Sequence, residues 1–268
     1  MLSYSKDSIP EAIVDEPSAA TGLGYSRSKW VAEMICDRAN NQTALRDRVS
    51  VFRVGQLAGD SHRGIWNTKE AWPMMLSLVK VTGTLPDLAN ETLDWLPVDI
   101  AATALTQGMA SVAVGPKQQM QVQKVEAGGK EVEQGSGALT DVVHVVNDRE
   151  NPTWRQMLRW LQKERDFEVV NPSEWVSQLE RAEEEKGDDH PAFQLVGLWK
   201  KAYGSDDEEE RERDQGQAGL SSSPTEMVEQ RKVFVTEKTK AQIPALCGIA
   251  PVDEQYFLKI WRWIDENM

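Results

Sequence analysis

Cysteine and histidine are scarce in this chain. Its two cysteines, Cys36 and Cys247, lie far apart, which gives no disulfide framework. His62, His144 and His190 are isolated, so no metal-ligand spacing occurs and no metal is expected. Basic residues are in deficit: 30 Lys and Arg face 43 Asp and Glu, a formal charge of -13. That balance argues against nucleic acid and anionic membrane surfaces as partners. No apolar run approaches bilayer length, so no membrane span is expected. The opening "MLSYSKDSIPEA" lacks a basic region followed by an apolar one, and therefore does not read as a signal peptide. The cytoplasm is the default location. No internal repeat is evident.

What is present is an α/β alternation in a chain of 268 residues, enough for one large or two small domains. A helix is expected from about Ser26 to Ala39, with Trp30, Val31, Met34 and Ile35 on one side. A buried strand, Val49 to Val54, then ends at Gly55. "AWPMMLSLVKVTG" reads as one helix with Pro73 in its first turn and Gly83 just past its end. Asp99 fits an N-cap for a helix running through Met109. "DVVHVV" (141–146) is a second strand, followed by a helix that Thr153 and Gln156 suit as a capping box. Trp154, Met157, Leu158 and Leu161 form that helix's apolar face. Two further amphipathic helices follow, in "NPSEWVSQLERAEEE" and "HPAFQLVGLWKKAYG". The last helix carries Phe257, Ile260, Trp261 and Ile264 at i, i+3, i+4 and i+7, a core stripe. Residues 115–140 and 205–225 read as insertions, the second acidic, Ser-rich and disordered. Residues 1–146 thus look α/β and 147–268 mostly helical.

One short stretch carries chemistry. In "GYSRSKWVAE", Tyr25 and Lys29 are spaced i, i+4, one turn apart on a single helix face. A cation beside a phenol favours phenolate, which suits a tyrosine that must donate a proton as hydride arrives at a carbonyl carbon. The bland alternative is chance, since any of four tyrosines could have a lysine four residues on.

Eight segments in order extend this: "SIPEAIVDEPSAATGLGYSRSKWVAE", "FRVGQLAGD", "GIWNTKEAWPMM", "GTLPDL", "DWLPVDIAA", "HVVN", "EWVSQLE" and "FVTEKT". Together they resemble the thioester reductase domains that end fungal nonribosomal-peptide-synthetase-like enzymes, carboxylic acid reductases and aminoadipate reductases. These are extended short-chain dehydrogenase/reductases. The resemblance spans about 3 to 264 apart from the two insertions. It implies a partial Rossmann-like α/β domain with a mostly helical C-terminal substrate-binding part. It also implies reductive release: a thioester on a carrier protein's phosphopantetheine accepts hydride from NADPH and leaves as aldehyde, or after a second reduction as alcohol.

By the same resemblance Tyr25 is the proton donor and Lys29 holds the nicotinamide ribose. Gly55 and Gln56 pass the nicotinamide, and Trp66 and Asn67 belong to the substrate-side loop. From the residues alone, Gly55 serves equally as a turn glycine, and Trp66 and Asn67 as packing and turn. Asp99 reads better as a helix cap than as a catalytic acid, and Arg53 as a paired structural charge.

One element of the family pattern is missing. Dinucleotide binding needs a strand, a glycine-rich turn and a helix in succession. "GSGALT" precedes a strand, and "GLGYSR" lacks the third glycine. Nor does an apolar strand precede Ser3, Ser5 or Ser8, where the family places a catalytic Ser or Thr. The expectation is an N-terminally truncated domain without its cofactor-binding half. Alternative readings are another extended reductase acting on a free carbonyl or nucleotide sugar, and a catalytically silent remnant or partner-binding subunit. Substrate identity and oligomeric state are not written in the sequence.

Overall fold

The computed structural model describes residues 8–20, 24–89, 91–114, 140–186, 190–204 and 233–268. Every strand pair among them is parallel. Strand β2 (Ser50–Val54) runs beside β6 (Asp141–Val145) with Ser50 opposite Asp141 and Val54 opposite Val145. Shorter pairs join β1 (Ser8–Ile9) to β8 (Val233–Phe234), β3 (Leu57–Ala58) to β5 (Leu96–Pro97), and β4 (Thr84–Pro86) to β7 (Glu168–Val170). Parallel neighbours require a crossover, and helix α4 (Val98–Val114) lies in the one between β2 and β6. This is the α/β architecture read from the sequence.

Helix α1 (Gly24–Gln42) is longer than its apolar spacing suggested. Asn41 Nδ2 donates to the Asp37 carbonyl (2.9 Å) and Thr43 Oγ1 to that of Ala39 (2.6 Å), supplying donors to carbonyls near the helix end. Its apolar stripe is not core, for Val31 and Ile35 are 47% and 62% exposed. β2 also differs from the buried strand expected. Only Val51 is buried there, whereas β6 is buried from Val142 to Val145.

The helix expected around Pro73 is broken into α2 (Ala71–Ser77) and α3 (Val79–Thr82). The Leu78 N–H turns back to Met75 O at 3.3 Å, tightening the backbone there. Gly83 closes α3 in the left-handed conformation, φ 69°, as its position predicted. Asp99 is not an N-cap. Helix α4 begins one residue earlier, and the Asp99 carboxylate accepts instead from Ser61 N (2.8 Å) and Ser61 Oγ (2.6 Å).

The later helices follow their periodicity. In α5 (Trp154–Leu161) the Thr153 hydroxyl caps Gln156 N, and Trp154, Met157, Leu158 and Leu161 are buried. α6 (Pro172–Lys186) matches its reading, while "HPAFQLVGLWKKAYG" splits into a 3-10 turn (Pro191–Leu195) and α7 (Val196–Tyr203). After the short α8 (Glu237–Gln242), α9 (Glu254–Asn267) buries Phe257, Ile260, Trp261 and Ile264. The larger core packs these helices against Trp66, Met74, Leu85 and Trp95. A smaller one joins Leu96, Ala101 and Ala104 to Val143, Val145 and Ile243. Both insertions lie outside the described residues, except Thr140, whose hydroxyl donates to Asp37 Oδ1 (2.7 Å). So do Ser3 and Ser5. Among the described residues no helix is long and apolar enough to cross a membrane, and no cluster of acidic, His or Cys side chains has the form of a metal site.

The loop after β3 is pinned where its backbone meets α9. Gly64 has φ 74°, and a Cβ there would lie 2.6 Å from the Lys259 carbonyl. Gly83 shares the positive φ, but nothing lies within 4 Å of its Cβ position. Gly83→Ala is therefore expected to cost about 1 kcal/mol of backbone strain, and Gly64→Ala clearly more, roughly 2–4 kcal/mol. Urea unfolding of both variants checks this. Equal losses would show that α9 yields freely.

Candidate functional site

Two contacts set the direction of α1. The Asn40 amide oxygen accepts from Val49 N (3.2 Å), and Glu33 is gripped by Arg53 through Nε (2.9 Å) and NH2 (2.7 Å). Later residues of the helix meet earlier residues of β2, so the two run antiparallel. Tyr25 lies eight residues before Glu33, roughly 12 Å along the helix. Gly55 and Gln56 lie about 7–10 Å beyond Arg53 in the same direction. The topology thus brings Tyr25, Lys29, Gly55 and Gln56 to one end, the carboxyl end of β2, where open α/β sheets hold ligands.

Tyr25 and Lys29 do lie together. The Lys29 ammonium sits 5.2 Å from the centre of the Tyr25 ring, and Tyr25 is 70% exposed. With Glu33 they form one stripe at i, i+4 and i+8. Gly55 continues the ladder, its N–H donating to Val145 O (3.0 Å), and a Cβ there would stand 3.2 Å from Val146 Cγ1. Gln56 turns its amide to the Leu57 carbonyl (2.8 Å), while its own carbonyl accepts from Leu96 N.

Beneath this end lies a polar network centred on Arg53, which the sequence reads as a paired structural charge and which pairs with Glu33. Besides Glu33, Arg53 donates to the carbonyls of Pro10 (2.9 Å) and Ala12 (3.1 Å), with NH1 3.1 Å from His144 Nε2. His144 is fully buried, and its Nδ1 lies 2.7 Å from Val235 O. That geometry fits a neutral imidazole, protonated at Nδ1 and accepting from Arg53 at Nε2. Burial pushes the His144 pKa below its ordinary value; the Val235 carbonyl opposes that shift and the Arg53 charge reinforces it. No local pattern signals the cluster, because its members are 20 and 91 residues apart.

Trp66 and Asn67 stand in the pinned loop. Trp66 is buried edge-on against Trp95 (4.9 Å between centroids), and its indole N–H donates to Glu70 (3.1 Å). The Asn67 side chain accepts from Lys69 N (3.1 Å), turning the chain into α2. Upstream, Asp60 accepts N–H bonds from His62, Arg63 and Ile65. Burial acts to raise the Asp60 pKa, yet these donors outweigh it and hold the carboxyl below its ordinary value. Asp99 is likewise lowered, its bonds from Ser61 overcoming burial. Tyr256 donates to Gly59 O (2.6 Å) and Lys259 to Ser61 O (2.8 Å). Burial, with Asp99 and Asp60 nearby, pushes the Tyr256 phenol far up, so it stays a donor.

Residues 5–105 match the NAD-binding family model described as male sterility protein. Over that stretch the chain is similar to an NAD-binding family. The resemblance read from the sequence is borne out. A non-canonical non-ribosomal peptide synthetase, ascB of Acremonium egyptiacum, is 38% identical over 100 residues, 37% of this chain and 9% of the relative. A carboxylic acid reductase of Neurospora crassa is 28% identical over 206 residues, 73% of this chain and 17% of the relative. The chain thus spans a small fraction of the curated relatives it matches. The terminal R domain of the myxalamid PKS-NRPS pathway superposes with a TM-score of 0.62 at 20% identity, over 99% of this chain and 55% of that one. At that identity the likeness shows the fold alone.

Proposed function

We propose that this chain carries the proton-donating and substrate-side part of an NADPH-dependent reductase that releases a carrier-protein-bound thioester as aldehyde or alcohol. The observation that carries the reading is the Tyr25–Lys29 pair, exposed at the carboxyl end of β2 inside the segment matching an NAD-binding family. The donors present suit the nicotinamide end of such a cofactor. Lys29 would hold the ribose hydroxyls, and Gly55 and Gln56 would line the ring's edge. No strand, glycine-rich turn and helix in succession occurs among the described residues to hold its pyrophosphate. When bound, the cofactor supplies hydride.

Tyr25 would hydrogen-bond the thioester carbonyl oxygen and donate its proton as negative charge develops there. Collapse of the tetrahedral species expels the phosphopantetheine thiol and leaves the aldehyde. Lys29, against the ring, stabilises the phenolate left behind. Trp66 and Asn67 would shape the substrate side through the loop that Asp60, Asp99 and α9 hold fixed. Following free thiol and NADPH together, with an acyl-phosphopantetheine thioester and the chain in a cofactor-competent assembly, tests this. Thiol release matching NADPH oxidation is expected. Oxidation with a free carbonyl but without thiol release would overturn the thioester reading.

A further inference from the structure

Lys29 and Glu33 stand four residues apart on α1, the spacing at which a lysine and a carboxylate on one helix pair with each other. Here they do not. The Lys29 ammonium lies over the Tyr25 ring, and among the described residues it forms no ion pair. Glu33 turns instead to β2, where Arg53 takes both of its oxygens: Nε donates to Oε1 (2.9 Å) and NH2 to Oε2 (2.7 Å). The remaining N–H groups of Arg53 go to the Pro10 and Ala12 carbonyls and to His144 Nε2, so all five donors of the guanidinium are placed. Glu33 is the single carboxylate among those partners. The local sequence makes the alternative pairing specific. Positions three and four residues from Lys29 hold Tyr25, Ser26, Ala32 and Glu33, and those three and four from Glu33 hold Lys29, Trp30, Cys36 and Asp37. Along α1, each is therefore the other's only opposite charge within a turn. A buried ion pair is also a poor way to stabilise a fold, since well-packed apolar side chains often do as well. A pair only 10% and 12% exposed at this place calls for another use.

We infer that Arg53 is a positioning residue for Lys29: by occupying both oxygens of Glu33, it keeps that carboxylate from drawing the ammonium along the helix and away from Tyr25. The charge of Lys29 is thereby left for the phenol and for a ligand at the carboxyl end of β2. Arginine suits this task and lysine does not, because a planar fork fills both carboxylate oxygens at once. The capture of Glu33 rests on the geometry, whereas what Lys29 does once free rests on the reductase reading above.

The reactivity of the Lys29 amine toward an N-hydroxysuccinimide ester tests this without cofactor, read from peptide masses of the 268-residue chain with exposed Lys69 as internal reference. Pairing with a carboxylate holds the amine protonated and slows its acylation. Arg53→Met should therefore slow Lys29 labelling at least about twofold, the scale of a helical i, i+4 ion pair, and adding Glu33→Gln should restore it. Ala32→Glu makes the same check with the network intact. Position 32 is exposed and three residues from Lys29, so a carboxylate there that no arginine holds should slow labelling likewise, while Ala32→Gln should not. A merely structural Arg53 predicts the opposite, because loosening α1 exposes Lys29 further. Unchanged or faster Lys29 labelling in folded Arg53→Met, or no effect of Ala32→Glu, would overturn the proposal. In the assembled enzyme, Arg53→Met should raise the KM for NADPH in the native background but not in Lys29→Ala. An equal further rise in Lys29→Ala would also overturn it. Labelling that follows the carboxylates while the KM for NADPH does not respond upholds the shielding of Lys29 and removes its ribose contact from the catalytic reading instead.

Discussion

Tyr25→Phe is expected to lower kcat by about 10²–10⁴-fold in the assembled enzyme while leaving NADPH affinity nearly unchanged. The substitution removes one oxygen from a ring that is 70% exposed, so it opens no cavity and breaks no packing. The Lys29 ammonium lies over the ring face, a contact phenylalanine retains. What disappears, on the proposed mechanism, is the transferable proton at the carbonyl oxygen. Because that proton moves only in the transition state, kcat and kcat/KM should fall together. Lys29→Ala should behave differently, raising the KM for NADPH as well as lowering kcat, because in the proposed reaction the ammonium both holds ribose and stabilises phenolate. Steady-state kinetics of the two variants separates the roles. Near-wild-type turnover by Tyr25→Phe would remove Tyr25 from the chemistry.

What the sequence disclosed is what local chemistry encodes. The α9 stripe, the strand β6, the Thr153 cap and Gly83 at its helix end each depend on neighbours within a few residues, and each was legible. Tyr25 and Lys29 belong to this class, since i, i+4 spacing on a helix is itself proximity. Asp99 was misread because its partner, Ser61, is 38 residues away, and nothing near Asp99 signals it. β7 escaped because three residues are too few to show a period. The α1 stripe shows the difference between pattern and burial. Its period was plain, but periodicity says only that a face is apolar, and what covers that face is a matter of tertiary structure. Trp66 and Asn67 were equally ambiguous by composition, and the structure gives one a core contact and the other a turn.

Arg53→Ala is expected to cost roughly 3–5 kcal/mol of unfolding free energy, because it strips the partner from a carboxylate held almost out of solvent. The Arg53 and Glu33 side chains are 10% and 12% exposed, so water cannot simply take the place of the lost fork. The carbonyls of Pro10 and Ala12 and the ring of His144 lose their donor in the same step. Arg53→Lys should recover only part of the loss, since one ammonium cannot span both Glu33 oxygens and the two carbonyls. His144 adds a pH dependence of definite sign. Its pKa is lowered in the folded chain, chiefly by burial. The unfolded side chain takes up a proton near pH ~6.5 while the folded one does not. Its contribution is therefore complete above that pH and declines as pH falls through it toward the depressed folded value. The lowered carboxyls of Asp60, Asp99 and Asp148 act only in more acid solution, near their ordinary range. Urea midpoints between about pH 5 and 7 should thus fall on acidification in the native chain. The fall should be shallower in His144→Gln, whose amide still accepts from Arg53. A loss below about 1 kcal/mol for Arg53→Ala would show that the network is solvated and that α1 is held by something else.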